Sequence, residues 1–352
     1  ELGPWWTNFG DEALNALVTA ALDQNRSLEA GIANVASARA AVTVADAKSL
    51  PSISGSASTS VSSDAGLDDI SRSARLSASY ELDLFGEVKA SQDAARASLE
   101  SAEYSQRALE LSILADLATN YFDLQVARKQ LEVAKENLNI AERIFDIVEV
   151  RYEAGEISGF DLASQKATLA NARSQIPQIE QQILSIETAI AILVGETPQG
   201  FEIDSVDLYE TRLPVADAGL PSDLLTRRPD LLQAEANLRA GQADVVAARA
   251  AMLPSIDLGA GVSTVLTSLS DPTASLSAAL SQTIFSGGSL KAQLESAKAR
   301  RAALLANYEQ AILTSLREVD VALSSINTGA LREEEVQIAL SAGRNALDSA
   351  EL

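Results

Sequence analysis

The sequence predicts a mainly α-helical fold with a β-barrel portion, in which long coiled-coil-like helices are joined to four membrane-crossing strands per protomer. Three observations predict it: very long stretches without helix-breaking residues, segments in which polar and apolar residues alternate, and an internal repeat of the whole arrangement. A period of 3.6 residues indicates helix and a period of two indicates strand. We therefore expect two structural repeats, at 31–200 and 223–352, each of helix, strand, loop, strand and long helix.

The long helices follow from uninterrupted runs of good helix formers. Neither Gly nor Pro occurs at 87–154, which would make a helix about 100 Å long at 1.5 Å per residue. A second run at 289–352 is interrupted only by Gly329 and Gly343. Shorter helices are expected at 11–48, 160–194 and 222–252. Judged from the helices alone, a plain coiled coil remains an open alternative.

Four strands are predicted where side chains alternate with a period of two. At 52–63 every even position is Ser, and the opposite face carries small or apolar residues. The same alternation occurs at 74–85, 255–266 and 274–285. Each run has the length that a tilted strand needs to cross a bilayer. The polar segments 64–73 and 267–273 are typical of hairpin loops.

Two matched hairpins between long helices favour a membrane barrel over soluble hairpins packed on protein. A barrel in lipid must close so that no backbone edge stays unpaired, and the smallest such barrels have about eight strands. Four strands cannot close on themselves, so several copies of the chain must each contribute four. The sequence has no apolar run of 18 residues, so it predicts no membrane-spanning helix.

The repeat is visible in the residues themselves. A shift of 203 aligns Leu50-Pro51-Ser52-Ile53 with Leu253-Pro254-Ser255-Ile256, and a shift of 200 aligns Leu76-Ser77-Ala78 with Leu276-Ser277-Ala278. In the first repeat a turn at 155–159 follows the long helix and leads into the returning helix. We expect the second repeat to be truncated before its own turn, with roughly 45 to 50 residues lying beyond 352.

Composition excludes several classes of function. The 352 residues include no His and no Cys, which rules out Cys/His zinc sites and imidazole-based catalysis. The formal net charge of −22 argues against a nucleic-acid partner, because phosphate binding needs clustered Lys and Arg. Since no nucleophile motif is present either, we expect neither an enzyme nor a cofactor or metal.

Five stretches together resemble one known family. They are WWTNFGDEAL at 5–14, YELDLFG at 80–86, RYEAG at 151–155, GLPSDLLTRRPD at 219–230 and REVDVAL at 317–323. They are similar to the TolC-like outer-membrane efflux proteins, and more closely to their OprM/NodT-type efflux lipoprotein branch, although Tyr80 stands where that branch has Trp. The stretch at 219–230 is the most specific match.

The resemblance implies a TolC-like homotrimer in the bacterial outer membrane, whose β-barrel continues into a long α-helical barrel across the periplasm. Segment 1–30 and linker 201–222 would then lie at its equatorial level. The implied function is the passive exit duct of a tripartite efflux system, which receives small molecules or drugs from a periplasmic adaptor (membrane fusion) protein and an RND-type inner-membrane pump. A soluble periplasmic coiled-coil scaffold, or a type I secretion duct for proteins, remains an alternative. A lipid anchor is expected on a longer precursor.

Three sets of site residues follow. The resemblance implies that the turn after the first long helix is the periplasmic tip that docks the adaptor, although Asp161 also suits a helix cap. The alternation places acidic residues on the polar strand faces, where they would give a cation-preferring lumen. The family signature at 219–230 is expected to be structural, with an interhelical salt bridge favoured over a basic binding patch. The tip residues are Arg151, Tyr152, Gly155, Ser158 and Asp161; the lumen residues are Glu81, Asp83 and Asp257; the signature residues are Gly219, Leu220, Pro221, Arg227, Arg228, Pro229 and Asp230.

Overall fold

The computed structural model describes residues 3–61, 70–203, 214, 225–266 and 271–351. In chain order the elements are a 3-10 helix at Trp5–Phe9, α1 (Glu12–Gln24), α2 (Arg26–Ala47), β1 (Ser52–Val61), β2 (Ile70–Leu82), α3 (Glu87–Glu153), α4 (Gly159–Val194), α5 (Pro229–Ala250), β3 (Ser255–Val265), β4 (Thr273–Ser281) and α6 (Ser289–Glu351). In these described ranges, no helix is both long enough and apolar enough to cross a lipid bilayer.

The two long helices form as their composition predicts. Helix α3 has 67 residues and α6 has 63, and α4 returns over 36 residues. Close contacts group the chain into a first unit, residues 1–32 and 107–216, and a second unit, residues 33–106 and 217–352. Two of the boundaries between the units fall inside α2 and inside α3. They are not the boundaries of the two predicted repeats, 31–200 and 223–352, which stay a prediction.

Two of the shorter predicted helices are interrupted. The helix expected at 11–48 is two helices, because Asn25 has an extended backbone and its Oδ1 accepts from the amides of Ser27 and Leu28 at 2.9 and 3.0 Å. Asn25 therefore ends α1 and caps α2. In the stretch expected at 222–252, Arg228 is also extended, and α5 begins with Pro229 at its first position.

The strands are found, with corrected ends. The strand predicted at 74–85 runs from Ile70 to Leu82, because it pairs with β1 along the whole of β1 and because residue 83 turns into the next helix. The strands predicted at 255–266 and 274–285 are β3 and β4, and β4 ends at Ser281. Residues 62–69 and 267–270, which cover most of the predicted hairpin loops, lie outside the described residues.

The four strands form one antiparallel sheet in the order β1-β2-β3-β4. The register is continuous across all three pairings, so every residue of a cross-strand row lies on the same face. Within the described residues β1 pairs only with β2, and β4 pairs only with β3. The hairpins of the two repeats are therefore joined through β2 and β3, and both outer strands are edges of the sheet.

The apolar core of the first unit lies where α1, α3 and α4 meet. Its buried side chains include Leu14, Val18, Leu117, Tyr121, Leu124, Ile190 and Val194. Trp5, Trp6 and Phe9 of the 3-10 helix pack against this core. Asp11 closes its edge: Oδ1 caps α1 by accepting from the amides of Ala13 and Leu14, and Oδ2 accepts a 2.7 Å hydrogen bond from the Tyr121 hydroxyl.

Candidate functional site

One face of the sheet, here called the polar face, is made of small polar residues. On β1 and β2 the hydroxyls of Ser52 and Ser79 lie 2.7 Å apart, and those of Ser54 and Ser77 lie 2.9 Å apart. On β3 the same rows contain Gly259 and Gly261, beside Ser277 and Ser275 of β4. The polar face therefore carries short side chains, and it offers hydroxyl groups and exposed backbone that water can solvate readily.

Three charged residues of the described strands lie on the polar face. Glu81 of β2 is directly opposite Asp257 of β3, so two carboxylates are cross-strand neighbours. Arg75 lies on the same face, six residues farther from α3 along β2. The sequence analysis placed Glu81 and Asp257 on the polar strand face, and the register bears this out, but it did not single out Arg75.

A cavity of about 440 Å³ lies where the strands meet the helices of the second unit. Glu81, Asp257, Glu87 and Lys48 line it, so three carboxylates share the space with one amine. Partial burial raises the pKa of Glu87, and the charges of Glu81 and Asp83 raise it further, while Lys48 opposes them. Among the described residues, no group of three or more Asp or Glu is placed to hold a metal ion.

Asp83 lies outside the strand to which the sequence analysis assigned it. It lies beyond the end of β2, and its two carboxylate oxygens accept from the backbone amides of Val88 and Lys89 at 3.1 and 2.8 Å. The first amides of a helix have no partner within the helix, so a carboxylate placed there stabilises it. The prediction that Asp83 belongs to the polar strand face is therefore wrong: it caps α3.

The opposite face of the sheet, here called the apolar face, is hydrophobic and exposed. Its members include Ile53, Leu76, Val262, Leu276 and Leu280, and Leu276 is 88% exposed. An exposed apolar patch of this kind marks a contact with lipid or protein. Only Arg72 brings a charge to this face among the described strand residues, in the row of Thr59 near the far end of β2.

The predicted tip is a tight turn between α3 and α4. Gly155 has a φ of 77°, a left-handed conformation that suits glycine, and the amide of Glu156 donates to the Arg151 carbonyl at 2.9 Å. Ser158 then caps α4: its hydroxyl accepts from the Asp161 amide while the Asp161 carboxylate accepts from the Ser158 amide. The capping role considered for Asp161 is thus confirmed. Hydrogen bonds from the Ser158 hydroxyl and amide lower the pKa of Asp161.

Two aromatic rings also lie at this turn. Tyr152 lies against Gly159, where an added Cβ would be 3.7 Å from the ring. Phe160, in the first turn of α4, is 80% exposed. The sequence analysis named Tyr152 but not Phe160, because nothing in the local pattern separates an exposed Phe from a packed one. The turn therefore exposes an apolar ring beside its capping hydroxyl and carboxylate.

The signature at 219–230 is described only from residue 225 onward, so Gly219, Leu220 and Pro221 lie outside the described residues. Arg227 is in a helical turn. Arg228, just before Pro229, contacts Asp230 and also Glu318 of α6, each at 2.7 Å. The predicted interhelical salt bridge is thus present. The hydrogen bonds that Arg228 donates to the Asp230 carboxylate raise the pKa of Arg228. Partial burial lowers this pKa, and the hydrogen bond to Glu318 raises it again.

Comparisons with known proteins point to one family. The sequence profile described as "Outer membrane efflux protein" matches residues 17–196 and 220–351. The pyoverdine export outer membrane protein OpmQ of Pseudomonas aeruginosa is 36% identical over 345 residues, covering 93% of this chain and 73% of that protein. The cation efflux system protein CusC of Escherichia coli K12 is 32% identical over 332 residues, covering 91% and 72%. The crystal structure of a membrane protein from Pseudomonas aeruginosa superposes with a TM-score of 0.88 at 30% identity, covering 98% of this chain and 84% of that one.

Proposed function

Because the chain belongs to the outer membrane efflux protein family, a family of channels, we propose that three copies form the exit duct of a tripartite efflux system for small molecules. The protein is an efflux channel of the bacterial outer membrane that extends into the periplasm. The trimer, the docking of a periplasmic adaptor, the RND-type inner-membrane pump and a lipid anchor belong to the proposal. So do the equatorial positions of 1–30 and 201–222.

The observation that carries the proposal is the two-faced sheet with unpaired edges. Its apolar face is exposed and suits outer-membrane lipid, while its polar face suits water. Among the described residues the outer edges of β1 and β4 lack partners, and lipid does not tolerate an open edge. Three copies that pair β4 of one with β1 of the next would close a barrel with the polar face inward.

The internal repeat predicts the register of that closure. Ser77 of β2 pairs with Gly261 of β3 within the chain. The shifts of 200 and 203 carry these positions to 277 and 58, so Ser277 of one copy should lie opposite Ser58 of the next. The chain contains no Cys, so introduced thiols have no competitors within it.

Cysteine cross-linking tests the closure. The double variant Ser58→Cys/Ser277→Cys, oxidised in outer membranes, should give a covalent trimer under denaturing conditions. The matched control is Ser54→Cys/Ser77→Cys, whose parent hydroxyls lie 2.9 Å apart within one chain; it should cross-link without a change in mass. A monomer from the Ser58/Ser277 variant, under conditions in which the control loses its free thiols, would refute this closure.

The tip is proposed as the adaptor contact, on the support of its exposed Phe160 and its hydrogen-bonded turn. Gly155→Val forces a β-branched side chain into a left-handed backbone, although nothing lies within 4 Å of an added Cβ. Export should fall while membrane assembly continues. Gly200→Val is the control, since Gly200 has a φ of 80° and equally open space but lies outside the turn. Normal export by the Gly155 variant would contradict docking at this turn.

The carboxylates of the polar face are proposed to make the lumen prefer cations. Rings of acidic side chains select cations in channels, and Glu81 with Asp257 would supply six in a trimer. In planar bilayers under a salt gradient, Glu81→Gln/Asp257→Asn should move the reversal potential toward the non-selective value. Asp83→Asn should leave it unchanged, because that side chain caps α3. An unaltered potential in the double variant would show that this pair does not face the ion path.

A further inference from the structure

We propose that Arg75 forms a cationic ring in the lumen, separate from the acidic ring of Glu81 and Asp257, and that the two rings make ion conduction asymmetric. The inference rests on the proposed function, in which the polar face lines the lumen. It adds a charged lumen residue that the sequence analysis did not single out.

The register fixes the face on which Arg75 lies. Its cross-strand row is Ser56 on β1 and Ser263 on β3, all on the polar face. The Arg75 side chain is exposed and lies along the neighbouring strand: a Cβ added at Gly261 would be 3.9 Å from its Nη2. The guanidinium thus lies beside Gly261 of β3, and no carboxylate of the described residues forms an ion pair with it.

The two rings are too far apart to neutralise one another. Arg75 and Glu81 are six residues apart on β2, which is about 20 Å at about 3.4 Å per residue. The Debye length is about 8 Å at physiological ionic strength. In a trimer, three guanidinium groups would face the hairpin end of the lumen and six carboxylates the helix end. The acidic ring therefore does not cancel the charge of the Arg75 ring.

Opposite fixed charges in series make a pore conduct better in one direction. Cations concentrate at the acidic ring and anions at the cationic ring. A voltage that drives both kinds of ion toward the region between the rings raises their concentration there and increases the current. The opposite voltage depletes the same region. The larger current is expected when the helix side is positive, because cations then move from Glu81 toward Arg75.

The chain provides a matched control on the same strand. Arg72 is three residues from Arg75 and therefore lies on the apolar face, in the row of Thr59, where it would face lipid rather than the lumen. Arg72→Ser and Arg75→Ser remove the same charge from the same strand. Because the two variants lose the same charge from opposite faces of the sheet, they separate an effect of lumen charge from an effect of net charge.

Single-channel recordings of the full-length protein test the inference. At about 0.1 M salt, where the Debye length is about 10 Å, the current should differ between opposite voltages. The ratio of the two currents should fall to about one at about 1 M salt, where the Debye length is about 3 Å. Arg75→Ser should bring the ratio to about one at low salt, whereas Arg72→Ser should leave it as in the parent.

The recordings can contradict the inference in three ways, and each points to a different error. Absence of all conductance would overturn the duct itself, and the inference with it. A conducting parent with equal currents at opposite voltages would overturn the inference but not the duct. Loss of the asymmetry in the Arg72 variant rather than the Arg75 variant would mean that the faces are assigned the wrong way round.

Discussion

Replacing Gly195 by Ala is expected to disrupt the junction between α1 and α4. Gly195 ends α4 with a φ of 82°, and a Cβ built there would lie 2.8 Å from the carbonyl carbon of Gln24 and closer still to its oxygen. These are backbone atoms, so no side-chain rotation relieves the contact. The same junction holds a 2.8 Å hydrogen bond from Asn25 Nδ2 to the Leu193 carbonyl.

The expected loss in the free energy of unfolding has two parts. A left-handed backbone costs Ala about 1–2 kcal/mol, of which about 0.4–1 kcal/mol is offset by the lower entropy of the unfolded chain. Overpacking against a close-packed neighbour adds about 1–3 kcal/mol. Gly200 also has a positive φ, of 80°, but nothing lies within 4 Å of a Cβ added there. Gly195→Ala should therefore lower the free energy of unfolding by about 1–3 kcal/mol more than Gly200→Ala.

The assay can report on the first unit alone. Trp5 and Trp6 are the two tryptophans of the chain, and both pack against the core at this junction. Urea unfolding of the detergent-solubilised protein, followed by tryptophan fluorescence, gives the free-energy difference between the two variants. If the two alanine variants unfold within about 0.5 kcal/mol of one another, the steric argument is refuted.

Other perturbations follow from the same reasoning. Tyr121→Phe leaves Asp11 Oδ2 buried without its donor and should lower the free energy of unfolding by about 1–3 kcal/mol in urea titrations. Burial and the hydrogen bond to Asp11 raise the pKa of Tyr121 above its usual 10.0. The stabilisation by its protonated hydroxyl is therefore fully present below pH 10 and is lost as the pH rises further. The free energy of unfolding should accordingly fall less steeply with alkaline pH in Tyr121→Phe. In Gly241→Ala the close contact of the new Cβ is with the movable Cδ1 of Leu304 at 2.6 Å, whereas the backbone atom Arg301 Cα is 3.8 Å away. This variant should therefore change thermal stability by less than about 1 kcal/mol, and Gly241→Val should cost about 1–3 kcal/mol. Asp83→Ala should lower thermal stability by about 0.5–2 kcal/mol through loss of the cap, with ion selectivity unchanged in bilayer recordings.

The long helices and the two faces of the sheet could be predicted because their signals are local. Absence of Gly and Pro along α3 and the alternation of Ser with apolar residues on β1 each act over neighbouring positions. The ends of elements were harder. The alternation continues through Phe85, but the Asp83 carboxylate binds the first amides of α3 and takes the chain out of the strand.

Contacts between distant segments could not be predicted from the pattern. Nothing near Asn25 separates it from an ordinary helical residue, yet its side chain caps α2 and reaches a carbonyl 168 residues away. The pairing of Asp11 with Tyr121 joins positions 110 apart. At the tip, the turn could be predicted from its two glycines, whereas the exposure of Phe160 depends on how α3 and α4 pack together.

The serine repeat of β1 makes this strand insensitive to sliding. Because Ser recurs at each even position from 52 to 60, a displacement by two residues leaves nearly the same side chains on both surfaces. The hairpin connection to β2 holds one alignment within the chain. Among the described residues nothing holds the outer edge of β1 in this way, so a strand added there would meet several almost equivalent hydrogen-bonding positions. In the proposed trimer the serine pattern alone would therefore not fix the alignment of one copy on the next, and contacts of less repetitive segments would have to select it.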